Sequence, residues 1–356
     1  MRFRIGQLTG IVLILLAAAC DQEIPQADQQ TETPGFSIGD AADPAIIAKL
    51  PISIRSSEMG TAGSVPRNYP NSSNDDWNDL LEFGAALYGG IFDIHVAPGE
   101  KANDEGVLEQ VQLSFERMNG VEPYIAFSIN FEQGPFTPEK GEELILAAVA
   151  NAKKYQPDYL SLGVEINSFY LYQQETFELY VQYAREAYDQ IKEVSPNTRV
   201  MTNFQFERMR GEASLTGQNF ESHWHLIDKF AGKIDLISFT VYPFLEYKSA
   251  ANIPDDYLAE IREYTSLPVM ITETGWPTED LPSGVAGSDQ DQIDFLMKLI
   301  QQANGIDVEV IIWVFPHDAS FGIAGGIFDH LSFFENDGTP KAGYEYWKAI
   351  NSLPIH

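Results

Sequence analysis

Short apolar runs rich in Val, Ile, Phe, Tyr or Thr alternate with longer stretches of helical periodicity from about residue 49 to the end of the chain. Each apolar run has the composition and length of a β-strand. The pattern predicts eight strands, at 50–57, 89–97, 123–131, 159–167, 199–206, 235–244, 268–276 and 308–316.

The stretches between these strands have apolar residues at helical spacing. They predict helices at 75–88, 106–118, 139–155, 176–194, 222–230, 254–264, 289–303 and 343–350. In residues 139–155, for example, Leu144, Ala147 and Ala148 fall on one face of a helix. Eight strands that alternate with helices predict an α/β fold, a (β/α)8 TIM barrel in a single domain. The alternative is an open doubly wound sheet, but no GxGxxG or phosphate-binding loop follows the first predicted strand.

The N-terminus has the order of an export signal. Arg2 and Arg4 precede an apolar run, Ile11–Ala19, which is too short for a comfortable membrane span. The run ends in Ala-Ala-Ala-Cys, which resembles a bacterial lipobox with Cys20 as the lipidated first residue of the mature protein. Leu16 stands four places before Cys20, whereas a leucine is usual three places before it.

These features predict a lipoprotein signal peptide at 1–20, a flexible tether at 21–48 and a catalytic domain at 49–356. The tether is rich in Gln, Asp, Thr and Pro and has few large apolar residues. We therefore expect an exported protein, held at the bacterial cell envelope by an N-terminal lipid in the membrane. The alternative is an ordinary signal peptide in which the cysteine is incidental.

The composition excludes several classes of partner. The 52 acidic and 22 basic residues give a formal net charge of −30, so the surface repels the phosphates of nucleic acid. The single cysteine rules out an intrachain disulfide. The six histidines do not form a recognisable ligand set, and we expect neither a metal nor a cofactor.

Two glutamates interrupt apolar strand sequences. Glu165 lies in the fourth predicted strand and Glu273 in the seventh, and catalytic groups of such barrels stand at the C-terminal strand ends. An idle carboxylate in an apolar run would be costly to desolvate. Glycoside hydrolysis needs two carboxyl groups that flank one bond, about 5–5.5 Å apart in a retaining enzyme. The pair therefore indicates this chemistry, the alternative being two ion-paired structural glutamates.

Three segments carry a family resemblance. Residues 271–277, ITETGWP, resemble the nucleophile motif of the large (β/α)8 glycosidase clan with catalytic glutamates on strands four and seven, which includes endo-β-1,4-galactanases and β-1,3-glucanases. Residues 235–244 and 333–347 are similar to that clan's sixth strand and to its last loop and helix. The resemblance implies a retaining β-glycoside hydrolase, with Glu273 as nucleophile and Glu165 as acid/base. It would act on an extracellular or periplasmic β-linked polysaccharide or oligosaccharide.

One position departs from the clan. Most members have Asn before the strand-four glutamate, where it hydrogen-bonds the sugar 2-hydroxyl, but this chain has Val164. Asn167 and Asn203 are candidate substitutes, and loop capping is the alternative role for both. The other candidate substrate-binding residues are Tyr242 beside the nucleophile, Trp276 and Trp313 as sugar-stacking rings, His95 after strand two and Arg55 after strand one.

Two other functions fit parts of this pattern. A non-catalytic carbohydrate-binding lipoprotein on a degenerate glycosidase barrel would keep the aromatic residues, and Val164 favours it. The retention of both glutamates disfavours it. A lyase or aldolase acting through a Schiff base would need a lysine at a strand end, and the predicted strands contain none.

Overall fold

The computed structural model describes most of residues 41–356, with gaps at 63–64, 74, 77–78, 81–88, 97–121, 128–133, 212–220 and 320–325. The predicted signal peptide, Cys20 and most of the predicted tether lie outside the described residues. The described residues form nine parallel strands, in the order β5-β4-β3-β2-β1-β9-β8-β7-β6. The strands are β1 (Glu58–Ala62), β2 (Ile91–Val96), β3 (Glu122–Phe127), β4 (Tyr159–Ser161), β5 (Arg199–Met201), β6 (Asn203–Gln205), β7 (Ile237–Val241), β8 (Val269–Thr274) and β9 (Val308–Trp313).

The two ends of this sheet meet in one chain segment. β5 pairs with β4, and β6 pairs with β7, while only Thr202 separates β5 from β6. β5 and β6 are therefore two halves of the fifth strand of an eight-position barrel. The prediction of a (β/α)8 TIM barrel is confirmed, and β8 is its seventh strand.

Alternation along the strands divides the apolar residues between two faces. One buried cluster fills the inside of the barrel, and a larger cluster lies between the strands and the surrounding helices. The inner cluster consists of Ala62, Ile91, Tyr124, Ala126, Tyr159, Val164, Met201, Leu236, Met270, Val310 and Ile312. This division shows which way the neighbouring strand residues point.

The longer helices begin and end at residues suited to those positions. The Thr137 hydroxyl accepts the amide of Lys140 at the start of the first long helix, Pro138 occupies its first position, and Gln156 ends it in the left-handed region. The described α-helices are α1 (Pro44–Ile47), α2 (Pro138–Tyr155), α3 (Asn167–Tyr172), α4 (Gln174–Val194), α5 (Phe206–Met209), α6 (Ile261–Tyr264), α7 (Asp289–Gly305) and α8 (Ala342–Asn351). None of the described helices is both long and apolar enough to cross a bilayer.

The predicted helices differ in detail from those observed. Residues 222–230 were expected to be α-helical, but Trp224–Phe230 is a 3-10 helix, and only Ile261–Tyr264 of the predicted helix 254–264 is α-helical. The helix predicted at 106–118 lies outside the described residues. α1 falls in the last residues of the predicted tether and contacts α8, so this short segment packs on the barrel domain.

The first strand was predicted wrongly, at 50–57 instead of Glu58–Ala62. The true strand has Gly60 and Ala62 on its inner side, and a Cβ at Gly60 would collide with the carbonyl oxygen of Ile91 on β2. The barrel therefore needs small residues here, which carry little apolar signal. The predicted run is a surface segment, in which Ile54 is 39% exposed.

Candidate active site

Glu165 stands where the chain leaves the fourth strand. The strand itself is only three residues long, Tyr159–Ser161, and Glu165 adopts a left-handed backbone conformation with a φ of 51°. That region is unfavourable for a residue with a Cβ, and neighbouring groups must hold it. The amide of Glu165 donates to Asn203 Oδ1 (2.9 Å), and the amide of Ile166 donates to the Asn203 carbonyl (2.9 Å). The fifth strand thus fixes the turn that directs the Glu165 side chain.

The Glu165 carboxyl group is 4% exposed. Its Oε1 accepts a hydrogen bond from Thr240 Oγ1 (2.8 Å), while Oε2 is buried and meets no hydrogen-bonding group among the described residues. Burial raises the pKa of Glu165 to about 8, with the Arg208 charge opposing this shift and the Glu273 charge adding to it. Near neutral pH this carboxyl group is therefore protonated, and one of its oxygens has no hydrogen-bond partner within the described part of the chain.

Glu273 reaches the interior through an irregularity in β8. Phe239 pairs with Ile271, but the next residue of β7, Thr240, pairs with Glu273, so β8 has one extra residue at Thr272. Strict alternation from the inward Met270 would turn Glu273 outward. The bulge restores it to the inner face, beside Thr240.

The Glu273 carboxyl group is 1% exposed. Its Oε2 accepts from the Tyr242 hydroxyl (2.9 Å), and its buried Oε1 has no hydrogen-bond partner in the described part of the chain. Burial raises the pKa of Glu273 to about 7, although the His95 charge and the Tyr242 hydrogen bond oppose this shift. Glu273 thus loses its proton at lower pH than Glu165, as an acid and a nucleophile in one site require.

His95 lies on the same inner face of β2 as Ile91. Its Nε2 is 2.9 Å from Asp93 Oδ2, and both side chains are buried. Burial lowers the pKa of His95, but the Asp93 carboxylate and the Glu273 charge outweigh it and raise the pKa above its ordinary value. The structure therefore brings His95, predicted as a substrate-binding residue, into electrostatic contact with Glu273.

The two asparagines proposed as substitutes for the missing strand-four amide have structural contacts instead. Asn203 accepts the Glu165 amide through Oδ1 and donates through Nδ2 to the Thr272 hydroxyl. Asn167 exchanges two hydrogen bonds of 2.9 Å with the backbone of Gln205. Both amides therefore join the fourth strand to the fifth, which favours the structural role that was the alternative for these two residues.

The two tryptophans predicted to stack on sugars are core residues. Trp313 follows the inward Ile312, so its side chain points outward, where it stacks on Phe333 (4.2 Å between ring centroids). Trp276 is fully buried and donates from Nε1 to the Ala286 carbonyl (3.0 Å). Alternation along β9 accounts for Trp313, and the strand prediction alone did not reveal it.

Arg55 was expected at the mouth but lies at the other end of the barrel. The correction follows from the first strand, because Arg55 precedes β1 rather than following it. Its guanidinium donates to the carbonyls of Leu353 (3.1 Å) and Asn351 (3.2 Å). Arg55 therefore attaches the C-terminus to the N-terminal end of the barrel.

Two site residues were missed by the sequence analysis. Glu207 and Arg208 follow the inward residues Asn203 and Gln205, and both are buried, at 1% and 7% exposure. Glu207 accepts the amide of Tyr242 (2.8 Å), and the charge of Arg208 acts on Glu165. Charged residues directly after a barrel strand were the signal that could have identified them.

The raised pKa of Glu165 makes stability depend on pH. The folded carboxyl group keeps its proton up to about pH 8, while the unfolded one loses it near 4.5, so stability is lost as the pH rises through this range. We expect Glu165→Gln to stabilise the fold at pH 8.5 by on the order of 4 kcal/mol, and to raise the melting temperature by about 5 °C, but to have little effect at pH 4. Calorimetry at both pH values measures this. An equal change at both would contradict the assignment.

The comparisons with known proteins bear on this site. The model of glycosyl hydrolase family 53 matches residues 143–321, half of the 356-residue chain. The chain belongs to glycosyl hydrolase family 53. The matched part of this family 53 chain includes Glu165, Arg208, Tyr242 and Glu273, and its activity is the hydrolysis of glycosidic bonds. No curated protein is similar enough in sequence to match.

Solved structures share the fold of this family 53 hydrolase. The β-glycosidase BGL167 is 13% identical with a TM-score of 0.63, over 85% of this chain and 98% of the other. A chain from the structure of two fungal β-1,4-galactanases is 15% identical with a TM-score of 0.57, over 82% of this chain and 99% of the other. The exo-β-1,4-mannosidase Op5Man5 from Opitutaceae bacterium strain TAV5 is 14% identical with a TM-score of 0.61, over 83% of this chain and 59% of the other. At these identities the likeness shows the barrel fold alone.

Proposed function

We propose that this chain is a retaining β-glycoside hydrolase that acts by double displacement. The observation that carries the proposal is the pair of buried carboxyl groups, Glu165 after the fourth barrel strand and Glu273 on the seventh. Each has one oxygen held by a neighbouring hydroxyl group and one buried oxygen without a partner among the described residues. In a retaining enzyme both groups must reach the same glycosidic bond.

In the first step, ionised Glu273 attacks the anomeric carbon and forms a glycosyl ester, while protonated Glu165 gives its proton to the departing oxygen. In the second step, Glu165 takes a proton from water, which attacks the anomeric carbon and releases Glu273. The Tyr242 hydroxyl donates to Glu273 and favours the ionised form that the attack needs. The charge of His95 also lowers the pKa of Glu273 and so favours the same ionised form.

The proposed substrate is an extracellular or periplasmic β-linked polysaccharide or oligosaccharide. It is supported by the family match and by the β-glycosidase, β-1,4-galactanase and β-1,4-mannosidase among the structural neighbours. A panel of β-1,4-galactan, β-1,3-glucan and β-1,4-mannan tests the proposal, and product sizing separates endo from exo action. Proton NMR of the first product formed gives its anomeric configuration. We expect β-product first; α-product first would show inversion and contradict double displacement.

A non-catalytic carbohydrate-binding protein is the second candidate. Val164 favours it, because this residue is 2% exposed in the inner cluster and offers no donor where related enzymes hold the sugar 2-hydroxyl. Binding to a glycan in affinity electrophoresis, without cleavage by either the wild type or the glutamate variants, would support this role.

We also propose that the chain is exported and anchored at the bacterial cell envelope through Cys20. The order of Arg2 and Arg4, the apolar run and Cys20 supports this, although it lies outside the described residues. Cys20→Ser is expected to abolish lipid attachment and to leave the barrel folded. Mass spectrometry of the mature protein measures the acyl mass. A mature N-terminus after residue 20, without that mass, would contradict the anchor.

A further inference from the structure

Arg208 is buried beside the turn that carries Glu165. It belongs to α5, which directly follows the fifth barrel strand, and it is 7% exposed. Its Nη1 donates to Ser168 Oγ (2.8 Å), and the amide of Ser168 donates to the carbonyl of Glu165 (2.9 Å). The guanidinium therefore contacts the first helical turn after Glu165, through Ser168.

A buried guanidinium needs an anion nearby. Burial lowers the pKa of Arg208, and Tyr172, Glu165 and Glu207 oppose that shift. Arg208 lies over the Tyr172 ring at 5.5 Å, which compensates part of the desolvation cost. Glu207 already accepts hydrogen bonds from the Tyr242 amide (2.8 Å) and from the Tyr257 hydroxyl (2.7 Å). The Glu165 charge also acts on Arg208, so Arg208 can assist the ionisation of Glu165.

We propose that Arg208 is a positioning residue that allows Glu165 to change from acid to base during turnover. This inference rests on the proposed double displacement. Before the first step, burial and the charge of Glu273 keep Glu165 protonated. After that step, the proton has gone to the leaving group and the Glu273 charge is consumed in the ester. The Arg208 charge then stabilises the Glu165 carboxylate, which must take a proton from water.

Several other ionisable groups surround Glu165 and Arg208. Glu273 on β8 and Glu207 on α5 raise the pKa of Glu165, and Thr240 on β7 lowers it through its hydrogen bond. Tyr242, after β7, is neutral, since burial raises its pKa well above 10. His223, which hydrogen-bonds the Arg208 backbone, has a pKa lowered by burial, so it is neutral near pH 7. Within the described residues, these groups leave Arg208 as the cation that acts on Glu165.

The test uses three variants of the full chain. Arg208→Gln removes the charge, Arg208→Lys keeps it, and Arg210→Gln removes a neighbouring arginine whose ion pairs are with Glu246 and Glu260. The pH dependence of kcat/KM is measured on the glycan that the wild type cleaves. We expect Arg208→Gln to move the alkaline limb upward by about one pH unit, since Glu165 holds its proton to higher pH. Arg208→Lys and Arg210→Gln should keep the wild-type limb.

A second readout isolates the base step. With an aryl glycoside that has a good leaving group, breakdown of the glycosyl-enzyme limits turnover. We expect Arg208→Gln to lower kcat about tenfold at neutral pH, and added azide to restore it, because this anion needs no base. Ser168→Ala, a milder change, should shift both readouts in the same direction and serves if Arg208→Gln does not fold.

Two results would overturn the inference. One is an Arg208→Gln profile that coincides with the wild-type profile. The other is loss of activity in all Arg208 and Ser168 variants without any shift of the limb or response to azide, which shows a structural role. Neither result touches the proposed function, which is tested separately by the Glu165 and Glu273 variants, by cleavage of the glycan panel and by the anomeric configuration of the first product.

Discussion

Replacing Glu273 with alanine is expected to remove turnover of every substrate, by at least about 10⁴-fold in kcat. The reason is that, in the proposed double displacement, the Glu273 carboxylate forms the glycosyl ester whatever the leaving group. The bulge at Thr272 places this residue beside Thr240, whose hydroxyl donates to Glu165. Rates on the natural glycan and on an activated aryl glycoside measure the loss. Glu279→Ala is the matched control, since this nearby side chain is 67% exposed and should keep wild-type rates.

The configuration of the glycosyl azide shows whether the carboxylate lost in Glu273→Ala is the nucleophile. In Glu273→Ala, azide can occupy the space of the lost carboxylate and attack the anomeric carbon directly, so an α-glycosyl azide is expected from a β-substrate. An unreduced rate, or a β-glycosyl azide from this variant, would show that the nucleophile lies elsewhere.

Replacing Glu165 with alanine is expected to affect substrates differently, according to whether their leaving group needs a proton. The natural glycan needs its departing oxygen protonated, so its kcat/KM should fall about 10³-fold. An aryl glycoside whose phenolate leaves without a proton should still form the glycosyl-enzyme, which then accumulates because water lacks its base. Azide should speed this variant and yield a β-glycosyl azide. Burst kinetics and the anomeric configuration of the azide are the measurements.

The acid/base role of Glu165 has a clear contrary result. Wild-type activity of Glu165→Ala on the natural glycan would refute it, since the raised pKa of this group would then serve no chemical step. Glu165→Gln is the matched variant, because it keeps the shape of the carboxyl group and an acceptor for the Thr240 hydroxyl. It should lose the natural activity to a similar extent.

The barrel could be predicted because it depends on a count of strands and helices. The seventh strand ends within two residues of its expected end, since VMIT is an unbroken β-rich run before a turn. The first strand could not be found in the same way, because a Cβ at Gly60 would collide with β2, so this inward position cannot hold a large apolar residue. Hydropathy detects large apolar residues and misses strands that need small ones.

The site could be predicted in its chemistry but not in its geometry. The positions of Glu165 and Glu273 stood out as charges in apolar runs. Neither glutamate lies in regular strand geometry as was expected. Glu165 lies in a left-handed turn, and Glu273 comes directly after a bulge. Such local departures depend on contacts with distant residues such as Asn203, which no short stretch of sequence contains. Trp313 differs, because alternation along β9 from the inward Ile312 is enough to turn its ring outward.

The side chain of Asn203 joins the turn at Glu165 to the strand of Glu273, through one bond to the Glu165 amide and one to the Thr272 hydroxyl. A single side-chain amide therefore connects these two parts of the site. The separation of the two carboxyl groups distinguishes retaining from inverting enzymes, so this side chain acts on the geometry that the proposed double displacement needs. The left-handed turn at Glu165 and the bulge at Thr272 are therefore connected through one side chain. A substitution at position 203 would disturb the placement of both glutamates at once.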